Sequence, residues 1–330
     1  MNRNDQVDKN SQNDELQILT VTLNPAFDVF CTVDTVHPGA LHRVGNMAQY
    51  AGGKGINVSK ALHAFSIPTL ATGFLGGRRG QWIAEQLEQA DITHDFVIVQ
   101  EETRMNVKVS ATDGQLTEFN SQVSNFSSVE WDELETKLWS YANSGRWITF
   151  AGRLPQGCDL HWYEKEINSC KQQGAKTVLD TSGDAFRYGV EALPHLIKPN
   201  VKELAAYTGE ELLTVDEVAQ AAQLLVNKGI ETVVVSLGER GLVASCAEET
   251  IYVEVPRLPV QSTVGAGDTV VAGLLYGSVK HMAFADRMAF AAAAGSAAVM
   301  KYGTQQPELN EVYHLLPSIR VTTLSGGELS

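Results

Sequence analysis

The second half of the chain alternates short apolar runs with amphipathic segments, and this alternation constrains the fold more than any other feature. Residues 147–151, 177–180 and 232–237 have the character of buried strands, whereas residues 130–142 and 215–228 show a helical period. Strand–helix units of this length predict a doubly wound, mostly parallel α/β sheet flanked by helices. No internal repeat or interdomain linker interrupts the series, so a single domain is expected.

The predicted domain covers residues 16–317. Residues 1–15 are rich in Asn, Gln and Asp and predict a disordered leader, and residues 318–330 predict a frayed tail. Residues 29–49 are strand-like with little helical period, which indicates an excursion out of the core rather than a crossover helix.

Charge and cysteine usage argue against several classes of protein. The 330 residues carry a formal net charge of −14, whereas nucleic-acid binders need a surplus of Lys and Arg. An anionic small substrate remains compatible, because it needs only a few local cations. The 4 cysteines lack metal-site spacing, and no signal peptide or membrane-spanning run is apparent, so we expect a cytoplasmic protein without a membrane partner.

A glycine-rich stretch, 262–269, precedes an apolar run of small residues and predicts a loop that feeds a helix N-terminus. Its glycines let successive amides turn inward, and a helix start adds unpaired N–H groups. Gly265, Ala266 and Gly267 therefore predict an anion hole suited to a phosphoryl group. Asp268 stands beside it, where a carboxylate can orient a hydroxyl nucleophile. The alternative is a glycine-rich turn in which Asp268 only caps the helix.

A second glycine-rich stretch, 51–58, also precedes a helix and carries Lys54 at its tip. It departs from the GxxxxGK[ST] pattern of a P-loop, so we interpret it as an anion site with a mobile point charge. Asp28 follows the first predicted strand, at the sheet edge where ligands bind in parallel α/β folds. For an isolated Asp of this kind, a plain turn residue is the simpler explanation.

A strand-like segment alternates with a period of two and places Arg104, Asn106 and Lys108 on one face. A solvated face explains this pattern, but the three side chains also suit a phosphate and sugar hydroxyls. Asn200 and Glu203 are spaced i and i+3 at a helix start, where a carboxylate suits Mg²⁺ held largely through water. Otherwise Glu203 is an ordinary surface residue.

Several short motifs follow one another in a fixed order along the chain. They are Asn24-Pro25-Ala26-Phe27-Asp28, Gly52-Gly53-Lys54-Gly55-Ile56-Asn57, Thr103-Arg104-Met105-Asn106, Lys198-Pro199-Asn200-Val201-Lys202-Glu203, Ser236-Leu237-Gly238 and Thr263-Val264-Gly265-Ala266-Gly267-Asp268. In this order they resemble the motifs of the ribokinase-like (PfkB) sugar kinases, over roughly residues 16–317. Within that family the sequence is most similar to the 1-phosphofructokinase and tagatose-6-phosphate kinase branch.

The resemblance implies an ATP- and Mg²⁺-dependent kinase that phosphorylates a ketohexose phosphate, with D-fructose 1-phosphate giving fructose 1,6-bisphosphate. It implies a ribokinase-like fold with a small β-sheet lid, formed by residues 29–49 and 103–121, that excludes water from the site. A homodimer through this lid is expected. Dependence on a monovalent cation stays open.

The resemblance also assigns roles to individual residues. Asp268 is expected to be the catalytic base, and Glu203 to bind Mg²⁺ through water. The expected substrate-binding residues are Asp28, Gly53, Lys54, Asn57, Arg104 and Asn106, with Lys54 and Arg104 on the substrate's existing phosphate. The strand-face geometry of β-type alternation extends this phosphate role to Lys108. The residues expected at the transferring phosphoryl group and the nucleotide are Asn200, Ser236, Gly238, Gly241, Thr263, Gly265, Ala266 and Gly267.

The acceptor and the pKa of the expected base need comment at this stage. Arg153 stands where relatives usually carry a serine, so tagatose 6-phosphate and fructose 6-phosphate remain alternative acceptors, and a catalytically silent sugar-phosphate-binding regulator is an alternative of a different class. The helix N-terminus is also expected to lower the pKa of Asp268, which would weaken it as a base. A dinucleotide-binding dehydrogenase is disfavoured, because no GxGxxG motif follows the first predicted strand.

Overall fold

The computed structural model describes residues 16–112, 115–121 and 126–324, and the predicted leader, 1–15, lies outside them. The strands are β1 (Ile18–Thr22), β2 (Ala26–Val33), β3 (Met47–Gly52), β4 (Thr69–Gly76), β5 (Thr93–His94), β6 (Val97–Val99), β7 (Arg104–Ala111), β8 (Leu116–Asn120), β9 (Trp147–Ala151), β10 (Lys176–Asp180), β11 (Leu196–Ile197), β12 (Thr232–Ser236), β13 (Leu242–Ser245), β14 (Thr250–Glu254) and β15 (Arg320–Thr323). The helices are α1 (Lys54–Ala64), α2 (Gly77–Gln89), α3 (Ser128–Tyr141), α4 (Trp162–Gln172), α5 (Asp184–Glu191), α6 (Val201–Thr208), α7 (Val215–Asn227), α8 (Ala266–Val279), α9 (Phe284–Ala298) and α10 (Leu309–Leu315), with short 3₁₀ turns at Gly238–Arg240 and Leu316–Ser318.

The main sheet has the order β15-β14-β13-β12-β11-β10-β9-β1-β4-β5, and β6 also pairs with β4. Every pairing from β12 to β5 and β6 is parallel, whereas β13, β14 and β15 add an antiparallel edge. The predicted doubly wound, mostly parallel sheet is therefore confirmed. Because its central strands run parallel, their carboxyl ends meet at one edge, and the loops that follow them can build a common site.

Hydrophobic cores cover both faces of this sheet. Within β12, Val233 and Val235 pack among residues of α3 to α7, whereas Val234 packs with residues of α1, α8, α9 and α10. This alternation explains the uninterrupted apolar run of the strand, because both of its faces are buried. Helix α8 lies very close to α9: a Cβ at Gly273 would lie 2.7 Å from the Ala291 Cα. The small residues of this pair thus fix the position of α8, whose first turn carries Asp268.

The small second sheet has the order β3-β2-β7-β8, with β2 and β7 parallel and the outer pairs antiparallel. Its strands coincide closely with the segments that the sequence assigns to a lid, and we call this sheet the lid. Within the described residues, no helix has the length and apolar character that a membrane crossing requires.

The expected frayed tail is wrong for part of its length. Arg320–Thr323 form β15, which pairs antiparallel with β14, and the amide of Leu324 donates to the Thr250 carbonyl at 2.8 Å. All four residues of β15 are exposed, so the strand is held by backbone hydrogen bonds and leaves little hydrophobic pattern in the sequence. Residues 325–330 of the predicted tail lie outside the described residues.

Candidate active site

The first turn of α8 has the backbone geometry that the predicted anion hole requires. Gly265 precedes the helix with φ of 82°, a left-handed conformation that favours glycine. The first i to i−4 bond of the helix runs from the Thr269 amide to the Gly265 carbonyl, at 2.9 Å. The amides of Ala266, Gly267 and Asp268 come before it, and amides in that position have no intrahelical acceptor. This geometry suits an anionic ligand at the helix start.

Asp268, the third residue of α8, is only 6% exposed. One carboxylate oxygen, Oδ2, accepts a hydrogen bond of 2.8 Å from Asn57 Nδ2. Burial raises the pKa of Asp268 to about 6, although the charge of Lys54 acts in the opposite direction. The expected lowering of this pKa is therefore wrong, because loss of hydration outweighs the favourable helix end. A base with a pKa just below neutral is well placed to accept a proton near pH 7.

A second buried carboxylate, Asp180, ends β10 beside two lysines. Its Oδ1 lies 3.0 Å from Lys54 Nζ and 3.5 Å from Lys198 Nζ. Burial alone would raise the pKa of Asp180, but the charges of Lys198 and Lys54 hold it below its usual value. Its other oxygen, Oδ2, is buried without a hydrogen-bond partner among the described residues. We call Lys54, Asn57, Asp180, Lys198 and Asp268 the core cluster.

Lys54 lies beside two carboxylates, those of Asp180 and Asp268, and its expected role as a ligand of the substrate's phosphate stays a prediction. Burial would lower the pKa of Lys54, but the neighbouring carboxylates of Asp180 and Asp268 raise it above its usual value. Lys54 therefore stays charged between two carboxylates. Lys198 reaches the anion hole, because a Cβ at Gly267 would lie 3.4 Å from its Nζ. Two cations thus lie at the end of the site where a phosphoryl group would transfer.

Sequence reasoning assigned no role to Asp180 or Lys198. Both follow the rule that was applied to Asp28, since Asp180 is the last residue of β10 and Lys198 directly follows β11. Applied to every parallel strand, that rule would have found them. The pairing of Asp180 with Lys54 could not be found in this way, because the two residues are 126 positions apart in the chain.

On the lid, Asp28 lies between two partners from β7. Its Oδ1 accepts from Asn106 Nδ2 at 2.8 Å, and its Oδ2 from Lys108 Nζ at 2.9 Å. All three side chains are buried, so this strand face is not the solvated face of the simpler interpretation. Gly52 of β3 makes room for the carboxylate, because a Cβ there would lie 2.6 Å from Asp28 Oδ2. Lys108 is committed to Asp28, which does not favour its expected contact with a phosphate.

Arg104 begins β7 and points back toward the main sheet. Its Nε and Nη2 donate to the Asn24 carbonyl at 3.3 and 3.1 Å, and its Nη1 donates to Asn106 Oδ1 at 2.9 Å. These acceptors are neutral, and Arg104 forms no ion pair with any residue that the structure describes. Burial lowers the pKa of Arg104, the charge of Asp28 raises it, and that of Arg153 lowers it further. A partly buried guanidinium in these surroundings suits an anionic ligand.

A cavity of about 650 Å³ opens next to the anion hole. The predicted nucleotide residues that line it are Ser236, Gly238, Gly241, Thr263 and Gly267, together with Ala266. Its apolar wall comes from Leu242, Val255, Val260, Val270, Ala292 and Val299. The Ser236 hydroxyl is buried and has no partner among the described residues, which leaves it available to a ligand. The size and the mixed lining suit a nucleotide.

Asn200 and Glu203 form a reciprocal capping box at the start of α6. Asn200 Oδ1 accepts from the Glu203 amide and Glu203 Oε2 accepts from the Asn200 amide, both at 2.9 Å. Asn200 also bridges to Ser236 of the nucleotide cavity, and the charge of Glu203 contributes to the raised pKa of Lys54. The pair therefore has a structural role next to the core cluster.

The acidic residues of this region fit Mg²⁺. No group of three or more His, Cys, Asp or Glu side chains suited to a metal occurs within residues 16–112, 115–121 and 126–324. Mg²⁺ does not need such a group, since it is usually bound through one or two carboxylates, water and substrate phosphates. Asp180, with its unpartnered Oδ2, and Glu203 are the carboxylates that meet this requirement.

The model of the pfkB family carbohydrate kinases matches residues 22–311, which include every residue of the core cluster. The chain belongs to this family. It is 35% identical to the 1-phosphofructokinase of Bacillus subtilis over 309 residues, 93% of this chain and 100% of that protein. It is 32% identical to the 1-phosphofructokinase of Vibrio cholerae over 308 residues, 93% of this chain and 97% of that protein.

Solved structures agree with the fold. The structure of Escherichia coli phosphofructokinase-2 in complex with substrates and products matches with a TM-score of 0.88 and 30% identity, covering 92% of this chain and 99% of that one. The ribokinase-like fold with its lid and the PfkB assignment made from the motifs are thus confirmed. The chain is a sugar kinase of this family.

Proposed function

We propose that the protein is a 1-phosphofructokinase, which transfers the γ-phosphoryl group of ATP to the free primary hydroxyl of D-fructose 1-phosphate. The observation that carries the proposal is the position of Asp268, which is buried in the core cluster at the start of α8 and directly follows Ala266 and Gly267, two residues that line the cavity. The 1-phosphofructokinases of two distantly related bacteria, similar over nearly the whole chain, support this acceptor.

In the proposed reaction, the substrate hydroxyl oxygen forms a bond to the γ-phosphorus while the bond between that phosphorus and the β–γ bridging oxygen breaks. Asp268 accepts the hydroxyl proton, and ADP leaves. The amides at the start of α8 and the charges of Lys54 and Lys198 stabilise the negative charge of the transferring group. The loose transition state asks little of the base until late, so positioning and charge contribute most of the rate.

We assign the cofactor residues on the same geometry. Asp180 and Glu203 would hold Mg²⁺, Glu203 through water, and the ion supplies charge neutralisation for the phosphates of ATP when it is bound. Ser236, Gly238, Gly241 and Thr263 would contact the nucleotide, with Asn200 next to them. Escherichia coli phosphofructokinase-2 has also been solved in complex with potassium, which supports testing a monovalent cation in the assay.

For the sugar, we propose that Asp28 and Asn57 bind hydroxyl groups. Asn57 Oδ1 is buried without a partner among the described residues, so it can accept from a hydroxyl. Arg104 is proposed to bind the phosphate that the substrate already carries, with Gly53 and Asn106 next to the sugar. Lys54 is then reassigned from that phosphate to the transferring one, because it pairs with Asp180.

We also propose a homodimer formed through the lid. Met47 and Phe119 lie on the lid and are 62% and 60% exposed, so the lid presents large apolar side chains that a second subunit could cover. The experiment is light scattering on the native protein and on Phe119→Glu. A dimer that becomes a monomer in the variant supports the proposal, and a native monomer contradicts it.

The reaction is tested by ADP release with Mg·ATP against fructose 1-phosphate, fructose 6-phosphate, tagatose 6-phosphate and free fructose. The expected result is the highest kcat/KM for fructose 1-phosphate. A preference for fructose 6-phosphate would assign the chain the acceptor suggested by its similarity to phosphofructokinase-2. ATP binding without turnover of any sugar would favour the silent regulator.

A further inference from the structure

A second cavity, of about 810 Å³, lies at the edge of the main sheet opposite the candidate active site. Its lining includes Trp147 and Lys176, the first residues of β9 and β10, so it opens at the amino ends of the parallel strands. Helix α8 connects the two edges, because its first turn carries Asp268 and its last residue, Val279, lines this cavity. A helix of 14 residues is about 21 Å long, so the cavity is separate from the active site.

The lining of this cavity is basic. Arg146, Lys176 and Arg287 contribute three cationic side chains, whereas no Asp or Glu occurs among the described residues that line it. In the whole chain, Asp and Glu outnumber Lys and Arg by 39 to 25. Three cations around one cavity, without a lining carboxylate, are therefore not what the composition of this chain favours.

Arg287, on α9, is a partly buried cation that no carboxylate of the described residues pairs with. Its Nη1 donates to Ser278 Oγ at 3.1 Å and its Nη2 to Thr232 Oγ1 at 3.4 Å, and both acceptors are neutral hydroxyls. Its Nε is buried without a partner in the described part of the chain. Burial lowers the pKa of Arg287, and the nearby Cys246 and Glu231 raise it by less. A desolvated charge of this kind favours an anionic ligand.

Lys176 adds a second charge next to an apolar wall. Its Nζ lies 5.3 Å from the centre of the Trp147 ring, and its amide donates to the Arg146 carbonyl at 2.7 Å, which joins the starts of β9 and β10. Lys176 forms no ion pair with any residue that the structure describes. Trp147, Val279 and Met282 contribute the apolar wall. Cations beside apolar side chains suit a phosphate group that a small organic molecule carries.

We propose that this cavity is a second anion site, which binds a phosphate group either free or carried by a small organic molecule. Arg287 supplies the planar donors of a guanidinium, and Lys176 supplies a mobile point charge. Trp147 and Met282 are placed to contact the organic part of the ligand. This inference goes beyond the proposed function, whose substrates bind at the opposite edge of the sheet.

The experiment follows the Met282 methyl group by NMR in the full-length protein, ¹³C-labelled at its methionine methyl groups. Met282 lines the cavity, and Met282→Leu identifies its signal among the 6 methionines of the chain. Inorganic phosphate, glycerol 3-phosphate and AMP are titrated separately, with sodium chloride at the same ionic strength as the reference. The signal should shift saturably with phosphate compounds and not with chloride. A lower Kd for the two organic phosphates supports a phosphate monoester as ligand, and equal Kd values support free phosphate.

Lys176→Glu reverses the charge of an exposed side chain, so the fold should be retained. It should raise the Kd read from Met282 by about tenfold or more, because repulsion replaces one attraction to the phosphate. The matched control is Arg320→Glu, which reverses a charge on exposed β15 outside the cavity and should leave that Kd within about twofold. A Met282 signal that responds to none of the three compounds, or responds equally in Lys176→Glu, would overturn the inference. The activity on sugar phosphates does not enter this test, so the proposed function stands or fails independently.

Discussion

Two buried carboxylates of this molecule, Asp28 on the lid and Asp180 in the core cluster, each lie beside lysines, but they are satisfied to different degrees. Both oxygens of Asp28 accept hydrogen bonds, from Asn106 and Lys108. Asp180 uses one oxygen for Lys54 and keeps the other buried without a partner in the described part of the chain. A buried polar atom left unpaired costs free energy unless a ligand satisfies it.

This difference indicates that the network around Asp28 is structural, whereas the core cluster around Asp180 is suited to bind a ligand. The hydrogen-bond network of Asp28, Asn106 and Lys108 is complete without a ligand, so it can hold this part of the lid in one conformation. The core cluster contains two carboxylates and two lysines in a small volume, and Asp180 Oδ2 and Asn57 Oδ1 within it have no partner among the described residues. We propose that phosphate and metal complete it. Catalytic function is therefore expected to depend most on the core cluster. Folding of the lid is expected to depend most on the Asp28 network.

The largest expected effect is on turnover in Asp268→Asn. The amide keeps an acceptor for Asn57 but cannot take a proton, so kcat should fall about 10²- to 10⁴-fold while the Kd for ATP stays within about twofold. The control is Asp286→Asn, because Asp286 is also the third residue of its helix, α9, but is exposed. A variant of Asp268 that keeps most of its kcat would remove this residue from the mechanism.

The next largest effect concerns the lid. Lys108→Met leaves the buried Asp28 without its counterion and should lower the free energy of unfolding by about 3–5 kcal/mol, measured by denaturant titration or as local opening of the lid in hydrogen exchange. Lys54→Met should cost less, because Asp180 retains Lys198. Adding Asp28→Asn to Lys108→Met should restore part of the stability. A single variant as stable as the native protein would show that the lid network does not stabilise the fold.

Much of the fold could be predicted because its cause is local. The strand–helix alternation, the glycines before α1 and α8, and the period-two face of β7 are all visible within a few residues. The motifs added the family, which is confirmed, and a set of site residues that stays a prediction. The exposed edge strand β15 could not be found in this way, since its stabilisation comes from the backbone of β14.

The pKa of Asp268 depends on contacts that form only in the folded protein, and the direction predicted from the sequence is wrong. Asn57 and Asp268 are 211 residues apart, and the burial that raises the pKa of Asp268 exists only after they meet. The helix N-terminus, which is visible in the sequence, predicts a lowered pKa for Asp268 instead. Likewise, Lys54 and Lys108 look alike in the sequence as free cations, but each is committed to a carboxylate that folding brings to it.

The pH dependence of stability should have opposite signs for the two carboxylates of the core cluster. The pKa of Asp268 is about 6 in the folded protein against 3.8 for the ordinary residue, so the folded state binds more protons and its stability falls as pH rises from about 4 to 6. Above pH 6 the ionised carboxylate costs about 3 kcal/mol. Asp268→Asn should therefore be more stable than the native protein at pH 7 and lose this advantage near pH 4.

Asp180→Asn should behave in the opposite way. Its folded pKa is lowered, so Asp180 contributes stability above its unfolded pKa, and the substitution should destabilise the protein at pH 7. Denaturant titrations of the native protein and both variants from pH 8 down to below pH 4 measure this contrast, because the contribution of Asp180 is lost only as the pH falls below about 3.8. Equal pH profiles for the two variants would contradict the assignment of one strained and one paired carboxylate.

The smallest expected effect extends the comparison to the nucleotide cavity. The Ser236 hydroxyl, like Asp180 Oδ2, is buried without a partner among the described residues, and it lines the cavity proposed for ATP. If ATP supplies that partner, Ser236→Ala loses one hydrogen bond of about 0.5–1.5 kcal/mol, and the KM for ATP should rise about two- to tenfold with the KM for the sugar phosphate unchanged. Ser140→Ala, in which an exposed serine of α3 is replaced, is the control. An unchanged KM for ATP would mean that the hydroxyl stays unpaired in the complex, and that an unsatisfied buried atom does not by itself mark a ligand contact in this molecule.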